Sequence, residues 1–222
     1  MRPGPFSAKQ LLGVEEHVFP LVFGAGAKYE GRVRLIIRPT PQPWHGSSTY
    51  LHEAALSSAR LVPQPSTGGA EISASDGSDA QPQNGNAFWR TSLALMRAQT
   101  RFFDVPAKDK SAEQIRDELA GIVADALLAL CHRGQAEGSG KTGTGTGQAD
   151  VRALLAVQGD GNAGSAVTAD LKYCVKLGRQ TGVHVTPSVS LNGLLVGDVS
   201  SSFGAKEWGE WLEKNVGAAS KL

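Results

Sequence analysis

The placement of the predicted strands most constrains how this chain can fold, because they fall near its two ends and helices fill the middle. GRVRLIIRP at 31–39 alternates apolar with mainly basic residues, which predicts a strand with one buried face. Further strands are expected on either side of Asn192-Gly193, a dipeptide typical of tight hairpin turns. The most economical architecture is a small α/β unit interrupted by a helical insertion.

Apolar spacing and capping residues predict the helices. The predicted helices begin near Pro5, Ser48, Phe88, Ser111, Ala149, Ser165 and Phe203. Pro20 is expected to bend or end the first helix, and Ser111 with Gln114 forms a capping box for the longest one. We expect a single domain over 1–222, with the helical insertion at 48–182 and flexible low-complexity loops near 65–86 and 134–149.

The bulk composition argues against several classes of function. A net charge of +1 gives no basic excess for nucleic acid or an anionic membrane surface, and no apolar run is long enough to span a bilayer. Cys131 and Cys174 stand far apart and show no metal-ligand spacing. We therefore expect a cytoplasmic protein without a metal, in a reducing compartment.

Three stretches resemble one known family. VHVTPSVSLNG at 183–193, with its hairpin and terminal helix, is similar to the second half of a thioredoxin fold. RVRLIIRPTPQPWHGSSTYLHEAAL at 32–56 resembles the strand, Gln-Pro-Trp-His turn and helix of a eukaryotic DsbA-like subgroup, and GPFSAK at 4–9 resembles its Cys-Pro-Phe-Ser-Ala-Lys active-site start. The resemblance implies a DsbA-like thioredoxin fold in which Pro187 is cis and faces the active-site helix.

The chain departs from that family in two respects. Gly4 stands where the family has its nucleophilic cysteine, and the first central strand, which should precede the active-site helix, is missing. Without it, the neighbouring strands would lose their hydrogen-bond partners, so we expect an incomplete parent fold. Truncation of the N-terminus is the preferred explanation. A strand from another segment or partner chain, and closure of the outer strands, are the alternatives.

Thiol–disulfide exchange needs a thiolate at a helix N-terminus, where free amides and the helix dipole lower the thiol pKa. The degenerate site is Gly4, Pro5, Phe6 and Ser7, which has no thiol. Cys174 shares an apolar helix face with Val167 and Leu171, and Cys131 ends the longest helix, so neither is expected to react. The sequence therefore predicts a protein of oxidoreductase ancestry without exchange activity.

A ligand groove is the function that the resemblance leaves open. A helix start facing the cis-proline loop is suited to an extended peptide or a glutathione-like ligand. The candidate binding residues are Ser7, Trp44, His45, Val185, Thr186 and Pro187. The alternatives are a glutathione-dependent enzyme of kappa type that uses Ser7 and a non-catalytic peptide-binding module, with dimerisation through an open sheet edge. The simpler role for Ser7 is a local hydrogen bond.

Other motifs have simpler explanations. GSGKTG at 138–143 lacks the first glycine of a phosphate-binding loop, because Gln135 stands there. His45 and His52 have no further metal ligand nearby in sequence, so we expect His45 to fix its turn and Trp44 to pack in the core. His184 either lines the groove or ends a strand. The tryptophans at 208 and 211 are expected to pack the terminal helix.

Overall fold

The computed structural model describes residues 6–62, 71–72, 86–136 and 147–217, and most of them are helical. The chain divides into two compact units. The first comprises Met1–Ile37, Gly68–Gly85 and Gly182–Leu222, and the second comprises Arg38–Thr67 and Asn86–Thr181. The second unit covers most of the stretch where the sequence places its helical insertion.

The first unit begins with a helical stretch in which a π-helical turn separates two α-helical segments. Helix α1 spans Phe6–Gly13, a π-helical turn follows over Val14–Val18, and α2 spans Phe19–Val22. Pro20 lies in α2, which continues to Val22, so of the two expected effects Pro20 does not end the helix directly. Proline cannot donate a backbone hydrogen bond, and the wider turn just before it changes the bonding pattern, since the Phe19 amide donates to the Val14 carbonyl.

The predicted strand at 31–39 is much shorter in the structure. Only Leu35–Ile36 (β1) is extended in a ladder, paired antiparallel with Glu71–Ile72 (β2). The alternation is correct, because Val33, Leu35 and Ile37 are less exposed than their neighbours. That face is only half-buried, however, because the ladder has just two residue pairs. Strand β2 lies within the predicted flexible loop at 65–86; residues 63–70 and 73–85 lie outside the described part.

The predicted hairpin is confirmed. Strands β3 (Val189–Leu191) and β4 (Leu194–Val196) are antiparallel and joined by Asn192 and Gly193, whose φ angles are 51° and 87°. Positive φ at both positions is what a type I′ turn requires. No described strand has a strand on each side, since the sheets are β1–β2 and β3–β4. Because the described residues form both helices and short strands, the α/β class is confirmed. Because the described sheets have only two strands each, the thioredoxin-like arrangement stays a prediction.

The chain closes on the predicted terminal helix. Helix α9 spans Ala205–Leu212 and continues as a π-helical turn over Glu213–Gly217. Trp208 is buried and meets Phe203 and Trp211 edge to face, with ring centroids 5.5 and 5.9 Å apart. The two tryptophans therefore pack the terminal helix, as the sequence predicted.

The second unit is built from helices. They are α3 (Ser48–Leu61), α4 (Ala87–Ala98), a 3₁₀ turn (Gln99–Phe102), α5 (Asp104–Ala107), α6 (Ala112–Ala136), α7 (Gln148–Leu155) and α8 (Thr168–Gln180). Helix α6 packs against α3, α4 and α7. Its inward stripe is buried at Ile115, Leu119, Val123 and Leu127, while Ile122, Ala126 and Leu130 are half-buried.

Capping residues set the ends of two of these helices. The Ser111 amide donates to Gln114 Oε1 at 2.7 Å and the Gln114 amide donates to Ser111 Oγ at 3.2 Å, which confirms the capping box before α6. Helix α6 includes residues 134–136 of the second predicted loop, and 137–146 lie outside the described part. Gly182, at φ 76°, follows the last residues of α8 as predicted.

A buried polar contact joins α3 to the start of α8. Glu53 is 4% exposed, and its Oε1 accepts a 2.6 Å hydrogen bond from Thr168 Oγ1. The same hydroxyl oxygen accepts the Ser165 amide at 2.8 Å. The Thr168 hydroxyl therefore satisfies one carboxylate oxygen and one backbone donor at the same time.

Replacing Thr168 with valine should destabilise the second unit. The Thr168→Val side chain keeps the shape but removes the hydroxyl, leaving a buried carboxylate oxygen and an amide short of a partner, at a cost of about 1–3 kcal/mol. Urea unfolding followed by circular dichroism measures the loss. Thr168→Ser keeps the hydroxyl and should recover most of it; equal stability of wild type and Thr168→Val would contradict this account.

His52 should make the stability pH-dependent. Burial in α3 lowers its pKa from 6.5, against a smaller raising effect of the 2.7 Å hydrogen bond that Nδ1 donates to the Ser48 carbonyl. The unfolded chain then binds the proton more readily than the folded chain, so stability is present above pH 6.5 and is lost as pH falls through the folded pKa.

Chemical unfolding at a series of pH values from 7.5 to about 5, above the range where carboxylates take up protons, should show this decline. His52→Gln should flatten it. Thr49→Gln, on the same helical turn and exposed, provides the matched control and should keep the wild-type slope. A His52→Gln profile as steep as wild type would show that another group is responsible.

Candidate functional site

The expected active-site turn lies where the described residues begin. Gly4, Pro5 and the side chain of Phe6 are outside the described part, and Ser7 is half-buried in the first turn of α1. Among the described residues the Ser7 hydroxyl has no hydrogen-bond partner. The local hydrogen bond expected for Ser7 is therefore not seen among the described residues.

The predicted cis-proline loop is in the same compact unit. The Thr186–Pro187 peptide bond is cis, as the resemblance implies. Ser188 Oγ donates to the Val185 carbonyl at 2.6 Å and thereby closes the loop on itself, while the Val185 side chain is 65% exposed. His184 is exposed just before the loop. In the described part of the chain, no hydrogen bond joins Ser7 to this loop.

Trp44 and His45 belong to the second unit and lie on its surface. Trp44 is 64% exposed, so the prediction that it packs in the core was wrong. The buried residue of this turn is instead Ser47, the N-cap of α3. The His45 carbonyl accepts the Ser48 amide at 3.0 Å and Nδ1 lies 3.4 Å from Asp104 Oδ2, so His45 does fix the turn.

Cys174 sits inside the second unit rather than at a helix start. It is 9% exposed on α8 beside Val167 and Leu171, as predicted. Burial raises the pKa of its thiol; the positive charge of Arg38 opposes this and the negative charge of Asp170 adds to it. Near neutral pH the group is therefore the protonated, unreactive thiol. Cys131 lies in α6, and its side chain is outside the described part.

Sequence reasoning missed two acidic residues. Asp104 pairs with His45 across a long stretch of sequence, and Glu53 is buried although its helix position reads as an ordinary polar one. Neither has a local signal, because each partner comes from a distant segment. No group of three or more potential metal ligands occurs among the described residues. None of the described helices is long and apolar enough to cross a membrane.

Comparison with known proteins adds no relative. No family model, no curated protein and no solved structure matches the chain. The resemblance to the DsbA-like family therefore depends on the quoted residues themselves.

Proposed function

We propose that this chain is a thioredoxin-fold protein of DsbA-like ancestry that no longer catalyses thiol–disulfide exchange. Its proposed role is to bind an extended peptide without catalysing a reaction on it. The proposal includes a cytoplasmic location, in keeping with the free thiol of Cys174. What supports the ancestry is that α1 lies at the start of the first unit, while the loop at 185–187, the β3–β4 hairpin and α9 follow in that order at its end, which resembles the order in the family.

The state of Cys174 is the observation that carries the loss of activity. Exchange begins when a thiolate attacks a disulfide sulfur along the S–S axis, which requires both a deprotonated and an accessible sulfur. Burial on α8 raises the pKa of this thiol and leaves little room for the disulfide of a substrate to approach its sulfur. Cys174 thus fails both requirements.

The position before α1 is where the chemistry would have to occur. Gly4 precedes the first residue of α1 by two positions and supplies no sulfur. In the family that this stretch resembles, the cysteine stands at a helix N-terminus, where free amides stabilise a thiolate. Ser7 offers a hydroxyl, whose proton the helix dipole alone does not remove at neutral pH. The elements suited to hold a ligand remain, whereas the nucleophile is absent.

Peptide binding is the role that these remaining elements suit. The exposed Val185 and the half-buried Thr186 and Pro187 form a bent loop directly before β3, and all three are at least partly open to solvent. We expect such a loop to contact an extended chain through these side chains and through backbone groups. Ser7, in the same unit, supplies a further polar contact.

Restoring the missing cysteine tests this proposal. In a Cys131→Ala, Cys174→Ala background, Gly4→Cys should react rapidly with a thiol reagent and show a thiol pKa below the ordinary value of about 8.5. It should also attack an insulin disulfide to form a mixed disulfide, releasing one insulin thiol, and added dithiothreitol should then resolve that mixed disulfide. Wild type should reduce insulin no faster than the background variant. Ala153→Cys, an exposed position away from a helix start, is the matched control and should show an ordinary thiol pKa.

Two results would overturn the proposal. Wild-type reduction of insulin above the background variant would show that a native thiol is active. A Gly4→Cys thiol that titrates like the Ala153→Cys thiol would show that the segment before α1 is not an active-site turn.

A glutathione-dependent enzyme is the second candidate, and the Ser7 hydroxyl, which has no hydrogen-bond partner among the described residues, favours it. If that hydroxyl holds the glutathione sulfur, calorimetry should show saturable binding to wild type. Ser7→Ala should weaken it about tenfold or more, because a hydrogen bond to a charged group contributes about 1.5–3 kcal/mol. Ser7→Thr should retain binding, and Ser202→Ala serves as an exposed control. Equal binding by wild type and Ser7→Ala rules this candidate out.

A further inference from the structure

The register of the β3–β4 hairpin determines which backbone groups point outward. Leu191 and Leu194 flank the two-residue turn, and Ser190 lies opposite Leu195. In a hairpin of this kind the residues flanking the turn exchange hydrogen bonds, while the next pair directs its N–H and C=O groups away from the partner strand. The amide and carbonyl of Leu195 therefore face outward along the free edge of β4.

This edge is exposed and, apart from the shortness of β4, carries no charge, proline or bulge. No described strand pairs with the outer side of β4, and Leu194 and Leu195 are 74% and 46% exposed. Residues 183–197 contain no Asp, Glu, Lys or Arg. Proteins commonly guard a free strand edge with a charge, a proline or a bulge, and an edge without these is prone to pair with another strand.

We propose that a second copy of this chain covers the edge, with its β4 strand antiparallel to the first across a two-fold axis. In that arrangement Leu195 lies opposite Leu195 of the second copy, and each donates its amide to the other's carbonyl. The two copies form one four-stranded antiparallel sheet, in the order β3, β4, β4 and β3.

The charge pattern favours a second copy over a foreign strand. An identical strand with charged side chains would place like charges opposite each other, whereas this segment brings only apolar and neutral side chains together. An acidic or basic partner strand would find no complementary charge along 183–197. A two-fold interface is also self-complementary by construction, since the same residues serve both sides.

Sedimentation equilibrium of the full chain tests the proposal, over concentrations from about 1 μM to about 1 mM. Wild type should form a dimer as concentration rises. Leu195→Pro removes the outward amide and leaves the amides of the inward pairs Leu191–Leu194 and Val189–Val196 in place. It should raise the dimer dissociation constant at least tenfold. Leu195→Lys places a charge at the two-fold axis and should do the same.

Two variants serve as matched controls. Ser190→Pro removes the corresponding outward amide on the opposite edge, at β3, and should leave the dimer intact. Val157→Lys adds the same charge at an exposed apolar residue of the second unit and should also leave it intact. Circular dichroism establishes that each variant is folded; if Leu195→Pro does not fold, Leu195→Lys decides.

Three outcomes would overturn the proposal. If wild type stays monomeric over the whole concentration range, the β4 edge does not pair with itself. A strand of another protein would then be the remaining partner for this edge. A dimer that dissociates in Ser190→Pro but not in the Leu195 variants uses β3 instead. A dimer unaffected by all four substitutions forms through another surface.

Discussion

Burial of the apolar stripe of α6 against the helices around it holds the second unit together. Leu119 and Val123 are fully removed from solvent, and each such side chain contributes about 1.5–3 kcal/mol relative to exposure. The capping box at Ser111 and Gln114 sets where this helix starts, and the stripe then determines which faces of α3, α4 and α7 turn inward. Cys174 lies in this unit, so its protonated, unreactive state follows from the packing.

The position of a sulfur relative to a helix decides what it can do. A thiol at a helix N-terminus is stabilised as a thiolate by free amides, whereas one on the inward face of a helix loses solvation and stays protonated. Cys174 lies on the inward face of α8, where burial raises its pKa and keeps it protonated. In the proposed ancestry, Gly4 replaces a thiol of the first kind, at a helix N-terminus. The proposed loss of exchange activity is therefore a matter of which position carries the thiol.

The strands of the first unit are short, and this has consequences for association. Antiparallel ladders of two and three residue pairs leave backbone donors and acceptors unpaired at their outer edges. In the β3–β4 hairpin the type I′ turn at Asn192 and Gly193 sets the register, and the register points the backbone groups of Leu195 outward. Turn chemistry thus determines which backbone groups of each strand point outward.

Helix positions, the capping box, the hairpin turn and the buried face of α8 were predictable from sequence, because each depends on residues close together in the chain. The cis bond before Pro187 followed from the resemblance alone. The length of β1 and the exposure of Trp44 were not predictable.

In the candidate site, too, some features followed from the sequence and others depended on the tertiary structure. Sequence alone determined that Gly4 supplies no sulfur, whereas Ser7 and Pro187 became candidates through the resemblance. Only the tertiary structure decided that Glu53 meets Thr168, that Asp104 meets His45, and that Trp44 faces solvent. The physical reason is that burial and polar pairing depend on which distant segments come together, and a single chain's local pattern carries no record of its long-range partners.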